Sequence, residues 1–131
     1  MIPTARILVA DPDPDIRETL KLYLGTSGHE VKTVELAGDI IKTARPWQPN
    51  AVLISADFAD EDASRICRDL LDDTLTGHIP IIMLLEVNER QARLEALEAG
   101  VNDIIAKPFD IEELTLRVEA AIRLSTMQLG V

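Results

Sequence analysis

The sequence contains one cysteine among 131 residues and no long apolar run. A single cysteine, Cys67, excludes an internal disulfide and a cysteine-rich metal site, and its expected role is that of a small buried hydrophobe. No stretch approaches the roughly 18 apolar residues that a membrane-spanning helix requires. The first residues also lack the basic flank and apolar core of a signal peptide. We therefore expect a cytoplasmic protein that does not bind a membrane.

Basic residues are also scarce, because 13 Lys and Arg stand against 23 Asp and Glu, for a formal net charge of −10. Nucleic-acid binding depends on neutralising phosphates with Lys and Arg, so this balance argues against it. Aromatic residues make up only 3% of the chain, and Trp47 alone offers no platform for stacking bases. We expect no nucleic-acid binding by this domain. A solvated acidic surface explains the charge, although a basic protein partner is compatible with it.

What the sequence does contain is an alternation of short apolar runs and helical patterns. Strands are predicted at residues 5–10, 30–34, 51–55, 80–85 and 103–106. Five helices follow them, and this pattern predicts a doubly wound α/β fold, a three-layer sandwich around a parallel sheet of order 2-1-3-4-5. One domain is expected at residues 1–125, with a loose tail at residues 126–131.

Local signals predict where several helices begin and end. Asp13 before Pro14 caps the first helix, and Asn88 and Asp110 are expected to cap the fourth and fifth. The pair Arg45-Pro46 is expected to end the second helix, because a residue before proline leaves the helical region. The last helix is predicted to end near residue 125.

Acidic and hydroxyl residues follow the first and third strands. The predicted strand order changes direction between these two strands, so Asp11, Ser55 and Asp57 should share one crevice at the sheet edge where ligands bind. His29 and His78 fall in loops on opposite sides of the sheet and are expected to be solvated.

An enzyme or a cofactor binder on this fold is a remote alternative. Ser55 lacks a nucleophile elbow and a nearby histidine, which a serine hydrolase would need. Phosphate-binding cofactor sites need glycines and free amides after the first strand. Residues 11–15 read Asp-Pro-Asp-Pro-Asp instead, which repels phosphate and removes two amide donors.

Over nearly its whole length the chain resembles a response-regulator receiver domain of bacterial two-component signalling. The segments that carry the resemblance are residues 7–11, 49–54, 80–84, 96–103 and 107–110. The resemblance implies a flavodoxin-like (βα)5 fold and a role in phosphorelay signalling rather than in catalysis. In that family an acidic pair holds a divalent cation, an aspartate accepts a phosphoryl group and a lysine follows the fifth strand. A hydroxyl residue and an aromatic residue report the phosphorylated state.

Only part of that set is present. By resemblance, Asp11 matches the first acid, and Lys107, followed by Pro108, matches the lysine; in the family the bond before this proline is often cis. Four other positions carry residues unsuited to the family's chemistry: Pro12 replaces the second acid, Ser55 fills the phosphoacceptor slot, Leu85 replaces the switch hydroxyl and Ile104 replaces the switch aromatic.

These substitutions predict a degenerate pseudo-receiver that acts without phosphorylation and without a cofactor. Magnesium prefers several oxygen ligands, and two of the three carboxylates are missing. Ser55 is neutral, whereas an aspartate is already an anion at neutral pH. The alternative is an active, atypical receiver phosphorylated on Asp57, with Mg²⁺ held weakly by Asp11 and Asp57, because Asp57 lies one strand repeat beyond Ser55. Asp13 is expected to cap a helix rather than bind metal.

Either function would operate through protein contacts. The expected partners are a histidine kinase, an output domain, another signalling protein or a second copy of the chain. The expected surface is the face made by the fourth helix, the fifth strand and the fifth helix. This face carries residues of both charges, namely Arg90, Arg93, Glu95, Asp103, Arg117 and Glu119.

Overall fold

The structure, a computed structural model, describes residues 4–59 and 61–129. Five parallel strands form one sheet in the order β2-β1-β3-β4-β5, as predicted. The strands are β1 (Arg6–Ala10), β2 (Glu30–Val34), β3 (Ala51–Ser55), β4 (Ile81–Glu86) and β5 (Asp103–Lys107). The order reverses between β1 and β3, whose registers pair Leu8 with Val52 and Ala10 with Ile54. This reversal opens a crevice at the carboxyl ends of the two strands.

Helices cover both faces of the sheet, which gives the predicted flavodoxin-like three-layer fold. They are α1 (Pro14–Thr26), α2 (Ile40–Trp47), α3 (Ala63–Asp72), α4 (Arg90–Ala99) and α5 (Ile111–Leu129), with a short 3-10 helix at Ala37–Asp39. Alternate residues of the strands point to opposite faces of the sheet and pack into two apolar clusters. Leu8 packs into the cluster beneath α2, α3 and α4, whereas Ile7 and Val9 pack into the one beneath α1 and α5.

The helix caps match the prediction at two of three positions. Asp13 accepts a hydrogen bond from the amide of Asp15 at 2.9 Å, and Asp110 accepts one from the amide of Glu113 at 3.0 Å. The predicted cap of α4 by Asn88 is wrong. A turn follows β4, in which the carbonyl of Asn88 accepts from the amide of Arg90, and no side chain caps this helix.

The second helix does not end before Pro46, contrary to the prediction. It continues to Trp47, and Gln48 then adopts a left-handed conformation with φ 52°. Trp47 is only 9% exposed and packs in the core cluster, and Arg6 Nη1 donates to its carbonyl at 2.8 Å. Burying a large indole outweighs the local preference of a residue that precedes proline.

The last helix is longer than predicted, because α5 runs to Leu129 rather than ending near Ser125. The predicted boundary between residues 125 and 126 therefore falls inside a helix, and residues 130 and 131 of the predicted tail lie outside the described residues. None of the helices in the described part of the chain has both the length and the apolar character needed to span a membrane.

Candidate functional site

Four residues predicted for the site meet at the carboxyl end of the sheet. Lys107 Nζ donates hydrogen bonds to Asp11 Oδ2 at 3.0 Å, to Ser55 Oγ at 3.0 Å and to Asp57 Oδ2 at 2.9 Å. These residues come from the ends of β5, β1 and β3 and from the loop after β3. An ammonium group has three donors, so Lys107 uses its full capacity on this set.

The site is largely closed to solvent. Asp11 and Ser55 are 0% exposed, and the side chains of Lys107 and Asp57 are 7% and 41% exposed. Burial lowers the pKa of Lys107, but hydrogen bonds and Coulomb attraction from Asp57 and Asp11 outweigh it and raise that pKa above its usual value. Lys107 therefore stays charged at neutral pH, and with its two carboxylate partners it gives the site a formal charge of −1.

Asp11 is fixed by its neighbours as well as by Lys107. Its Oδ1 accepts from the amide of Asp13 at 2.9 Å, and its carbonyl accepts from Arg17 Nη1 at 2.8 Å. Pro12 is exposed and supplies neither a carboxylate nor an amide. Asp13 caps α1, so its carboxylate does not replace the missing acid.

Ser55 is bonded on both sides. Its Oγ accepts from Lys107 Nζ and from the amide of Asp57, each at 3.0 Å. The second bond folds the loop after β3 back over the strand end and brings the Asp57 carboxylate to Lys107. The strand period had predicted that Asp57 lies on the same side as Ser55, and it does.

The two substituted switch positions are apolar and packed. Leu85 is fully buried, and Ile104 is half-buried against the same core cluster. Neither has a side-chain atom that can hydrogen-bond to a phosphoryl oxygen. The peptide bond between Lys107 and Pro108 is cis.

The donor set does not suit a divalent cation in this arrangement. Asp11 and Asp57 each give an oxygen to Lys107, so an ammonium occupies the position between the two carboxylates. A Mg²⁺ ion needs those oxygens for itself. Within residues 4–59 and 61–129, no group of three or more His, Cys, Asp or Glu side chains is arranged to hold a metal.

One buried polar contact lies away from this site and contradicts the prediction made from the sequence. His29 was predicted to be solvated but is buried; its Nδ1 accepts from the amide of Ala5 at 3.1 Å, and its Nε2 lies 2.9 Å from Glu119 Oε2. Glu119 is 90 residues away, so no local pattern signals the pair. His78 is exposed, as predicted.

The cysteine behaves as expected. Cys67 is fully buried in α3, and burial raises the pKa of its thiol to about 12, with a smaller contribution from the negative charge of Asp62. At neutral pH Cys67 is a packed, protonated side chain rather than a nucleophile.

The face made by α4, β5 and α5 carries a groove of about 480 Å³. Arg117 lines it and pairs with Asp103 at 3.1 Å and with Glu113 at 3.0 Å. Leu97 of α4 lines the same groove and is 56% exposed. Glu119, which was predicted for this face, instead contacts His29.

Comparisons with known proteins give one consistent result. The family model of the response regulator receiver domain matches residues 7–119. The DNA-binding dual master transcriptional regulator RpaA of Synechocystis is 32% identical over 121 residues, which cover 90% of this chain and 49% of that protein. The transcriptional regulatory protein ResD of Bacillus subtilis is 31% identical over 118 residues, which cover 90% and 48%. The chain thus spans about half the length of these curated relatives.

Solved structures agree with the sequence relatives. A putative response regulator from Chloroflexus aurantiacus superposes with a TM-score of 0.87 at 28% identity, covering 92% of this chain and 99% of that one. A two-component response regulator from Clostridium difficile gives a TM-score of 0.83 at 26% identity, covering 92% and 97%.

Proposed function

The chain belongs to the response regulator receiver domain family of two-component signalling, and we propose that it works in that setting without being phosphorylated. The observation that supports this most strongly is the threefold bonding of Lys107 to Asp11, Ser55 and Asp57. A lysine whose three donors are already satisfied has none left for an incoming phosphoryl group.

Changing this arrangement would be costly. Asp11 is fully buried, and removing the partner of a buried charge typically destabilises a protein by about 3–5 kcal/mol. A switch needs two states of similar free energy, so a contact of this kind favours one state. We therefore propose a domain that holds a single conformation of its site.

Ser55 is a poor acceptor in its surroundings. It is fully buried, and its Oγ already accepts two hydrogen bonds, so both of its lone pairs are engaged. Leu85 and Ile104 would not report a phosphorylated state, because neither side chain can hydrogen-bond to a phosphoryl group.

The proposed output is a protein contact rather than catalysis. The partner is a histidine kinase, an output domain or another signalling protein, and the groove between α4 and α5 is a docking surface for it. The groove has both apolar and charged walls, which suits recognition of a protein surface. We place this action in the cytoplasm, with no direct contact between this domain and nucleic acid or membrane.

A second candidate function is supported by one observation. The Asp57 carboxylate lies in the site and its side chain is 41% exposed, whereas that of Asp11, the other acid bonded to Lys107, is 0% exposed. Of these two acids, Asp57 is therefore the one that a phosphoryl donor could reach. In this second function Asp57 is phosphorylated, its ion pair with Lys107 breaks, and Mg²⁺ binds near Asp11.

A titration followed by amide NMR distinguishes the two functions. We expect Mg²⁺ with beryllofluoride, an analogue of the phosphoryl group, to cause no saturable shifts around residues 11, 57 and 107. Asp62→Asn, which changes a helix-capping acid outside the Lys107 set, is the matched control for Asp57→Ala. Saturable shifts that persist in Asp62→Asn and vanish in Asp57→Ala would establish the second function and refute the first.

A further inference from the structure

His29 joins three parts of the chain in one buried contact. It precedes β2, its side chain is 2% exposed, and its Nδ1 accepts a hydrogen bond at 3.1 Å from the amide of Ala5, just before β1. Its Nε2 lies 2.9 Å from Glu119 Oε2 on α5. The proposed function does not use this contact, because the Lys107 site lies at the opposite end of the sheet.

The contact requires a neutral imidazole. A backbone amide can only donate, so Nδ1 must accept, and a neutral ring has one nitrogen that accepts and one that donates. An imidazolium carries a proton on both nitrogens and accepts at neither, so rotating the ring by half a turn does not restore an acceptor. Proton uptake by His29 therefore leaves the amide of Ala5, a residue that is 4% exposed, facing a second donor.

Glu119 supplies the counter-charge for a protonated ring. Its side chain is 18% exposed, and among the described residues it is the acid that pairs with this imidazole. A carboxylate bonded to an imidazolium makes a charge-assisted hydrogen bond, which is stronger than the neutral bond it replaces. The contact with Glu119 should therefore strengthen on protonation, whereas the contact with Ala5 is lost.

The other charged and titratable groups on the surrounding elements lie elsewhere. Arg6 of β1 and Glu30 of β2 pair with each other at 3.7 Å on the face of the sheet that α2 covers. Lys21 and Tyr23 of α1 and Arg123 of α5 are exposed, so water screens their effect on the ring. The paired acid on α5 therefore dominates the electrostatic surroundings of the imidazole.

We propose that His29 is a pH-sensitive contact: uptake of one proton from solvent exchanges its bond with Ala5 for a stronger bond with Glu119 and loosens the start of β1. Histidine is the side chain whose charge ordinarily changes between about pH 5 and 8. The hydrogen bonds between β1 and β2 begin at the Ala5 carbonyl, which accepts from the amide of Glu30 at 2.9 Å. Loss of the His29 contact should fray this end of the strand, while the fully buried residues 7–10 stay paired.

Amide NMR of the whole chain between about pH 7.5 and 5 tests the proposal. The ring nitrogens of His29 report its protonation, and hydrogen exchange, corrected for the intrinsic effect of pH, reports the protection of the Ala5 amide. We expect this protection to fall by at least about tenfold, with the same midpoint as the ring titration. The amide of Leu53, in the fully buried strand β3, should keep its protection throughout.

Two variants separate proton uptake from a purely structural contact. In His29→Asn a side-chain carbonyl can accept from Ala5 but does not titrate, so the protection of that amide should no longer depend on the ring's protonation. Glu119→Gln keeps an acceptor for Nε2 and removes its charge, so the transition should move to lower pH. Glu112→Gln, which changes an exposed acid on the same helix, is the matched control and should leave the transition unchanged.

Several results would overturn the proposal. They are a His29 ring that stays neutral down to about pH 5, a ring that titrates without affecting Ala5, a loss of protection that Leu53 shares, and an equal loss in His29→Asn. Should that variant fail to fold, the two midpoints in wild type and the shift in Glu119→Gln decide. The beryllofluoride titration reports on the Lys107 site, so a negative result in one experiment leaves the other unaffected.

Discussion

Asp57 and Lys107 are joined by a 2.9 Å ion pair although Asp57 lies two residues beyond the end of β3. Its carboxylate side chain is 41% exposed, whereas that of Asp11, the other acid bonded to Lys107, is 0% exposed. The lysine thus has one partner buried with it and one at the mouth of the site. These two contacts should differ in energy, because solvent screens the second and not the first.

Substitutions of Lys107 and of Asp57 test this difference in energy. We expect Lys107→Met to lower the free energy of unfolding by about 3–5 kcal/mol, because it leaves the buried Asp11 charge without a partner. Asp57→Asn should cost about 1 kcal/mol or less, since its contact is partly solvated. Urea unfolding followed by circular dichroism measures both changes.

Lys42→Met, on the solvated side of α2, controls for the loss of a lysine in general and should have little effect. Equal destabilisation by Lys107→Met and Asp57→Asn would show that the exposed acid holds the site as firmly as the buried one.

Restoring the missing acids should restore anion binding. In Pro12→Asp/Ser55→Asp the site regains the two carboxylates that a divalent cation requires, so we expect saturable amide shifts with Mg²⁺ and beryllofluoride. The shifts should stay near the pocket and not reach Arg117, because Leu85 still cannot bond to the phosphoryl analogue. Shifts that spread to α4 and α5 would contradict this prediction. A double variant that shows no saturable shifts would mean that the missing acids are not the only reason why the site does not bind.

The thiol of Cys67 should make stability depend on alkaline pH. Its folded pKa is about 12 against an ordinary 9.0, so the folded state keeps a proton that the unfolded state loses. The resulting stabilisation is complete below pH 9 and disappears as the pH rises toward 12. Over that range wild type should lose about 1.4 kcal/mol per pH unit more than Cys67→Ala.

Urea unfolding of both proteins across this pH range measures the difference. The raised pKa of Lys107 acts with the same sign, but it is common to both proteins and cancels in the comparison. Parallel stability curves would mean that the thiol is exposed to solvent in the folded state.

His29 should carry its proton on Nε2. The amide of Ala5 can only donate, so Nδ1 must accept and Nε2 is left to donate to Glu119. Nitrogen chemical shifts of the imidazole identify the tautomer directly. We also expect His29→Leu to destabilise the fold by about 1–3 kcal/mol, because it leaves a buried amide unsatisfied. The exposed His78→Leu should be neutral, and equal effects would argue against the Ala5 contact.

Much of the fold could be predicted from the sequence because its signals are local. The apolar runs at β1, β3 and β4 are buried on both faces, and their apolar composition predicts this burial. The misplaced ends of α2 and α4 have different causes. Trp47 extends α2 past Pro46 because its ring is packed in the core cluster, and this tertiary contact overrides a single-residue preference. At the start of α4 the cause is local, because the carbonyl of Asn88 accepts a hydrogen bond from the amide of Arg90 in a turn.

The site was predictable as a set of residues but not as a set of bonds. Strand order places Asp11 and Ser55 together, and the resemblance adds Lys107. The contact between Asp57 and Lys107 depends on how the loop after β3 folds back through the amide of Asp57 onto Ser55, which no sequence spacing specifies. His29 was missed for a related reason, because its partner lies on a distant helix.

The chain's one tryptophan also makes the protein its own optical probe. Trp47 is 9% exposed, and the Arg6 and Lys32 cations lie 5.9 Å and 5.0 Å from its ring centre. Its fluorescence should therefore shift to longer wavelength when unfolding exposes the indole to water. Trp47 comes before the start of β3, whereas the Lys107 site lies at the end of β3. Substitutions at the site should therefore leave the surroundings of the Trp47 ring intact. Emission from Trp47 can thus follow global unfolding in every variant named above without a label.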